Sequence, residues 1–167
     1  MIHLIWSTLN TIAAIYFLYL IIGFLIKGKR IFKPQTKKFS IFVMVLGIVQ
    51  IISASKSDKS TNRITINEGY DKINNSKIET LLLEDNLTLD INMHITYIDN
   101  ENQLIPKESV SFLTGFVSGY AWELESIETK SRKPNEKAKF TATGILKWKL
   151  FGINVYNQKK TFNGIIN

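Results

Sequence analysis

From Leu4 to Ile26 the chain reads LIWSTLNTIAAIYFLYLIIGFLI, 23 residues without a charge. The hydrocarbon core of a bilayer is ~30 Å thick and a helix rises ~1.5 Å per residue, so about 20 apolar residues suffice to cross it. The segment reads as a transmembrane helix. It does not read as a cleaved signal peptide, because Met1 to His3 carries no Lys or Arg and the apolar run exceeds the usual ~7 to 15 residues. A second uncharged run of 17 residues, Phe39 to Ser55 (FSIFVMVLGIVQIISAS), reads as a second span. Residues 1–55 are thus expected to form a transmembrane helical hairpin, with spans at 4–26 and 39–55.

The loop between the two runs, residues 27–38, holds Lys27, Lys29, Arg30, Lys33, Lys37 and Lys38 and no acid. Residues 56–167 balance 15 bases against 14 acids, so nearly all of the net charge of +7 belongs to this loop. The sequence pI of 9.5 is accordingly a membrane signal, and no direct DNA or RNA binding is expected from it. Lys and Arg are retained on the cytoplasmic side of bilayers, which puts the loop inside and both termini outside. Lys56, Lys59 and Arg63 follow the second run and count the other way.

Small and polar residues recur at helical spacing in each run: Ser7, Thr11 and Ala14 in the first, Ser40, Gly47, Gln50 and Ala54 in the second. Small residues let helix backbones approach, and amides such as Asn10 and Gln50 need partners where lipid offers none. These stripes either close the hairpin on itself or join neighbouring copies and line a polar path. The candidate assembly residues are Asn10, Thr11, Gly47 and Gln50, in a homo-oligomer embedded in the lipid bilayer.

A polar linker with turn-rich sequence covers residues 56–76, and residues 77–167 carry strand periodicity. Leu87, Leu89, Ile91, Met93, Ile95 and Tyr97 share one face of a long half-buried strand, with Thr88, Asp90, Asn92, His94 and Thr96 opposite. Phe140, Ala142, Gly144, Leu146, Trp148 and Leu150 repeat the pattern. Further strands are expected at 77–83, 110–116, 120–128, 153–156 and 161–166, joined by turns at 84–86, 99–103, 131–136 and 157–160. Residues 110–121 could instead be a helix after Pro106. The expected fold is a mainly antiparallel β domain of seven or eight strands, a small barrel in preference to a sandwich.

No catalytic constellation emerges. The chain has no cysteine and two histidines, which removes thiolate chemistry and leaves little for a metal; no metal or cofactor is expected. His94 sits among polar neighbours on a solvent face, and Asp90 and the Glu84-Asp85 pair are ordinary turn and surface carboxylates. Gly115 and Gly119 do not open a phosphate loop. The chain is therefore expected not to be an enzyme.

The domain's charge is uneven: residues 56–101 hold 5 bases and 9 acids, whereas 102–167 hold 10 and 5. The basic part also carries Tyr120, Trp122, Trp148 and Tyr156. Aromatic faces beside Lys suit an anionic, base-bearing ligand, with Trp122, Lys147, Trp148, Lys149 and Tyr156 as candidate binding residues. The competing reading makes the tryptophans core and the lysines an edge-strand solubility device.

Two N-terminal apolar runs followed by one compact β domain, ending in the strand-turn-strand segment GILKWKLFGINVYNQKKTFNGII (Gly144 to Ile166), resemble the two-transmembrane β-barrel effectors of bacterial cyclic-oligonucleotide anti-phage systems of the CBASS type. The resemblance implies a barrel that binds a cyclic oligonucleotide and drives helix assembly that disrupts the bacterial inner membrane. Such a receptor needs its domain in the cytosol, whereas the loop charge puts it outside. The alternative is an extracytoplasmic membrane-anchored β domain that binds a protein, an envelope component or an apolar ligand.

Overall fold

The computed structural model describes residues 1–54, 62–68, 76–100 and 102–166. Helix α1 (Ile2–Lys27) runs without interruption and tightens into a 3-10 turn, Gly28–Ile31; α2 (Lys37–Ala54) folds back against it. Gly47 of α2 faces the Phe17 ring so closely that a Cβ there would overlap it. Phe17, Leu20 and Val43 are buried in this contact.

Only one of these helices meets the requirement for a span. The segment Ile2–Ile31 is long and apolar enough, with a mean hydropathy of 2.2, and it is the single such helix among the described residues. The expected two-span hairpin is thereby corrected. After Lys37 and Lys38, the apolar part of α2 covers about 24 Å up to Ala54 at ~1.5 Å per residue, less than the ~30 Å of a bilayer core, and residues 55–61 lie outside the described residues. Most of the expected 56–76 linker lies outside the described residues.

Among the described residues the β domain has seven strands: β1 (Arg63–Thr65), β2 (Ser76–Asp85), β3 (Leu89–Asn100), β4 (Gln103–Gly115), β5 (Tyr120–Thr129), β6 (Ala138–Leu150) and β7 (Ile153–Ile166). They form two antiparallel sheets, ordered β1-β4-β3-β2 and β5-β6-β7. The expected closed barrel is corrected by this split. Where β2 approaches β7, side chains meet instead of backbones: Lys160 Nζ pairs with Glu84 Oε2 at 2.6 Å. At the other margin β1 is three residues long, and Asn62 Oδ1 accepts a bond from Leu124 N at 3.2 Å in place of a ladder.

The alternation expected along β3 is present from Leu89 onward, and Leu89, Ile91, Met93, Ile95 and Tyr97 have no exposed surface. Leu87, expected inward, lies in the exposed β2–β3 turn. Facing residues Trp122, Leu124, Phe140, Ala142 and Leu146 complete the core between the sheets. At roughly 1.5–3 kcal/mol for each large apolar side chain buried, this layer is the main term favouring the domain.

Two strands extend past their expected boundaries. β4 extends through Pro106, past the end of β1 and beside an irregularity in the β3 ladder, where the missing N–H costs no bond. Residues 110–115 are accordingly strand. The expected turn at 157–160 lies inside β7, because β6 continues and pairs Lys147 to Gly144 with Asn157 to Lys160.

Candidate functional site: a helix dock and a cationic cleft

The antiparallel register divides the domain into two ends. The β2–β3, β4–β5 and β6–β7 turns share the proximal end, and the β3–β4 turn and β5–β6 loop share the distal end.

At the proximal end the first turns of α1 close the mouth between the sheets. Trp6 Nε1 donates to Gly119 O at 3.0 Å, and Ser7 Oγ donates to Phe116 O at 3.2 Å. His3 Nδ1 lies 3.1 Å from Tyr120 Oη. The Trp148 ring is the hub, within 5.0 Å of the His3 ring, 5.1 Å of Tyr120 and 5.7 Å of Trp6 between centroids, distances at which tilted aromatic pairs attract. Burial pushes the Tyr120 phenol up to about 12, since a phenolate there would lose its hydration.

Gly119 makes the dock possible. Its φ is +80°, and a Cβ would strike the Asn10 side chain, so the turn both needs the left-handed region and has no room for a larger residue. Phe151, at the β6–β7 tip, continues the contact and meets Phe17 edge-on at 6.5 Å.

This geometry locates the candidate residues. Trp122 is core, with its Nε1 donating to Ser111 Oγ at 2.8 Å. Trp148 belongs to the dock, with Tyr156 exposed beside it, ring centroids 6.3 Å apart. Lys147 is ion-paired to Glu123, and Lys149 lines a small recess of about 160 Å³ with Asn10, Gly119 and Phe151. The five expected ligand-binding residues are therefore distributed among core, dock and sheet face. Of the expected assembly residues, Asn10 Nδ2 donates to Trp6 O at 3.1 Å and Thr11 Oγ1 to Ser7 O at 3.0 Å. Gly47 receives Phe17. Gln50 lies in α2, and its side chain is outside the described residues.

The expected carboxylate candidates are also engaged. Glu84 holds Lys160, and Asp90 accepts from Asn86 N at 3.4 Å. His94 packs edge-on against Phe112. No three His, Asp or Glu side chains gather to hold a metal among the described residues.

The distal end carries a cleft of about 620 Å³, within the range of ~300–1,000 Å³ typical of small-molecule sites. Ile66, Ile127 and Phe140 supply apolar wall, Lys130, Lys137 and Lys139 supply positive charge, and Glu128 and Glu136 line it as well. The β5–β6 connection reads KSRKPNEKAK, residues 130–139, with five bases and one acid. Lys130, Lys137 and Lys139 have no carboxylate partner among the described residues, so their charges remain available.

The loop is held in place by Arg132, which is 3% exposed. Its Nη2 donates to Glu79 Oε1 at 2.8 Å and its Nη1 to Glu136 O at 2.6 Å. The guanidinium carbon sits 5.2 Å from the centre of the Tyr97 ring, a cation–π contact in a water-poor setting. Arg132 N and O exchange backbone bonds with Leu104. The sequence signal for this cleft, five bases in residues 130–139, surrounds the expected turn at 131–136; nothing local marked Arg132 as the buried one.

The fold and site define a class of arrangement: an apolar helix docked end-on to a two-sheet β domain with a basic cleft at its far end. No family model, curated protein or solved structure matches the chain.

Proposed function

We propose that the chain is a membrane-anchored, non-catalytic binding domain, carried by α1 on the side of the bilayer opposite the basic segment 27–38, that α2 and the residues after Ala54 return the chain to that side, and that its distal cleft takes an anionic ligand. The observation that carries this reading is the dock. His3, Trp6 and Ser7 fasten the body of the domain to the N-terminal end of α1. The bases Lys27, Lys29 and Arg30 lie at its other end, about 39 Å away along a helix of 26 residues at ~1.5 Å per residue. Basic segments remain in the cytoplasm, so the domain is displayed outside it. An envelope component bearing phosphate or carboxylate groups fits the charge of the cleft.

A second reading takes its support from the same cleft. Unpaired lysines beside Phe140 and Ile127 suit a cyclic oligonucleotide, whose phosphates need cations and whose bases need a flat apolar wall. In that reading the domain faces the cytosol of a bacterium, and the ligand promotes assembly of copies through the outer face of α1 to breach the inner membrane in anti-phage defence.

Titration of the purified full chain in detergent with inorganic tripolyphosphate tests the cleft. Binding is expected to weaken with salt and to be lost on combined Lys130→Gln, Lys137→Gln and Lys139→Gln substitution, while Lys149→Gln retains it. Equal binding by the triple variant and the unaltered protein, or no binding at low salt, contradicts the assignment. A cyclic dinucleotide as second probe, bound more tightly than tripolyphosphate, favours the second reading.

A further inference from the structure

We infer that the tips of the β4–β5 and β6–β7 hairpins enter the lipid beside α1, so that the membrane-contacting surface of this protein is built from strand turns as well as helix. The inference rests on α1 lying in the membrane. Phe151 and Leu150, at the β6–β7 tip, pack with Phe17, Leu20 and Val43 of the two helices. Phe17 lies near the middle of the apolar segment Ile2–Ile31. Whatever depth Phe17 takes in a bilayer, Phe151 shares it.

The composition of the two tips suits that depth. Residues 109–122 and 150–158 contain no charged side chain, while Lys149, directly before the second tip, lines the recess against Asn10 and Ala14 of α1. Phe116, Val117, Ile153 and Val155 are exposed there, and α1 itself exposes Ile5, Leu9, Ile12 and Ile15 on the face turned away from the dock. Tyr156 stands beside this patch with its ring exposed, as aromatic residues do at the lipid–water boundary.

Backbone groups in hydrocarbon must find internal partners, and several at the β4–β5 turn do. Gly119 O accepts from both Trp6 Nε1 and Lys149 N, Phe116 O accepts from Ser7 Oγ, and Tyr120 N donates to Val117 O. The neighbouring β2–β3 turn differs: it carries Glu84 and Asp85, with Glu84 held by Lys160. Charge keeps that tip in water, so the immersed surface is one-sided.

Spin labels on single cysteines in the full chain, reconstituted in phosphatidylcholine vesicles, test this directly, since the chain has no native cysteine. Labels at Val117→Cys and Ile153→Cys are expected to collide with oxygen in preference to a water-soluble nickel complex, as a label at Ile12→Cys on α1 does. Labels at Asp85→Cys and Ser131→Cys are expected to show the reverse. Val155→Cys serves as a further site away from the turns. Water-like behaviour at 117, 153 and 155 with a lipid-like label at 12 overturns the inference alone. Water-like behaviour at 12 as well overturns the membrane placement of α1.

Discussion

Trp6 and Gly119 are joined by a 3.0 Å hydrogen bond from the indole nitrogen to the turn carbonyl, so the apolar helix is fastened to the β domain by specific polar contacts as well as by packing. Trp6→Phe keeps an aromatic ring against Trp148 and removes one of the two donors to that carbonyl. A loss of about 1 kcal/mol is expected, read as faster amide exchange at Tyr120 and Lys149 with β3 unchanged. Gly119→Ala combines an unfavourable positive φ with a clash against Asn10, and is expected to loosen the dock more, by about 1–3 kcal/mol. Unchanged exchange in both variants would show that the dock does not depend on this turn.

The Arg132–Glu79 pair ties the β5–β6 loop to β2 beside the cleft. Its side chains are 2% and 19% exposed, so removing either partner strands a poorly hydrated charge. Glu79→Ala is expected to lower stability by about 3 kcal/mol, toward the lower end for broken buried pairs because Arg132 keeps its bond to Glu136 O and its place over the Tyr97 ring. Arg132→Met, which replaces the stem and removes the charge, is expected to cost less than Arg132→Ala. Denaturant unfolding of the full chain measures each, and equal midpoints for all three variants and the unaltered protein would refute the pinning role.

Tyr120 gives the dock an alkaline limit. Its phenol is raised to about 12, above the ordinary value near 10 that applies once it is unfolded. The folded state then holds its proton more tightly than the unfolded state does. The contribution is full below pH 10 and is lost as pH rises toward 12. Tyrosinate absorbance is expected to show a late step from Tyr120, and Tyr120→Phe is expected to abolish it. Persistence of the late step in the variant would assign it elsewhere.

Much of the strand layout was legible because burial on one face imposes a period of two: β3 and β6 repeat it over their lengths, and their inward residues form the core. Other features depend on partners distant in sequence. The 157–160 segment looked like a turn, yet β6 continues beside it and supplies the ladder. Barrel closure was not readable, because it is decided at the margins, where the Lys160–Glu84 contact replaces backbone pairing. Arg132 resembles its exposed basic neighbours until Glu79, 53 residues away, is brought beside it. The aromatic and basic residues expected to form one binding site were distributed to separate places by the same folding. Trp148 and Tyr120 found their partners in His3 and Trp6 of the apolar helix, and sequence spacing carried no sign of that contact.

The side of the membrane on which the β domain resides is decided by two single cysteines in the otherwise cysteine-free chain. Ser76→Cys lies at the exposed start of β2, at the distal end, and Lys29→Cys lies in the basic segment. With a membrane-impermeant maleimide on intact spheroplasts, the account predicts labelling at position 76 and protection at position 29 until lysis. Protection at 76 together with labelling at 29 would contradict it and put the domain in the cytosol.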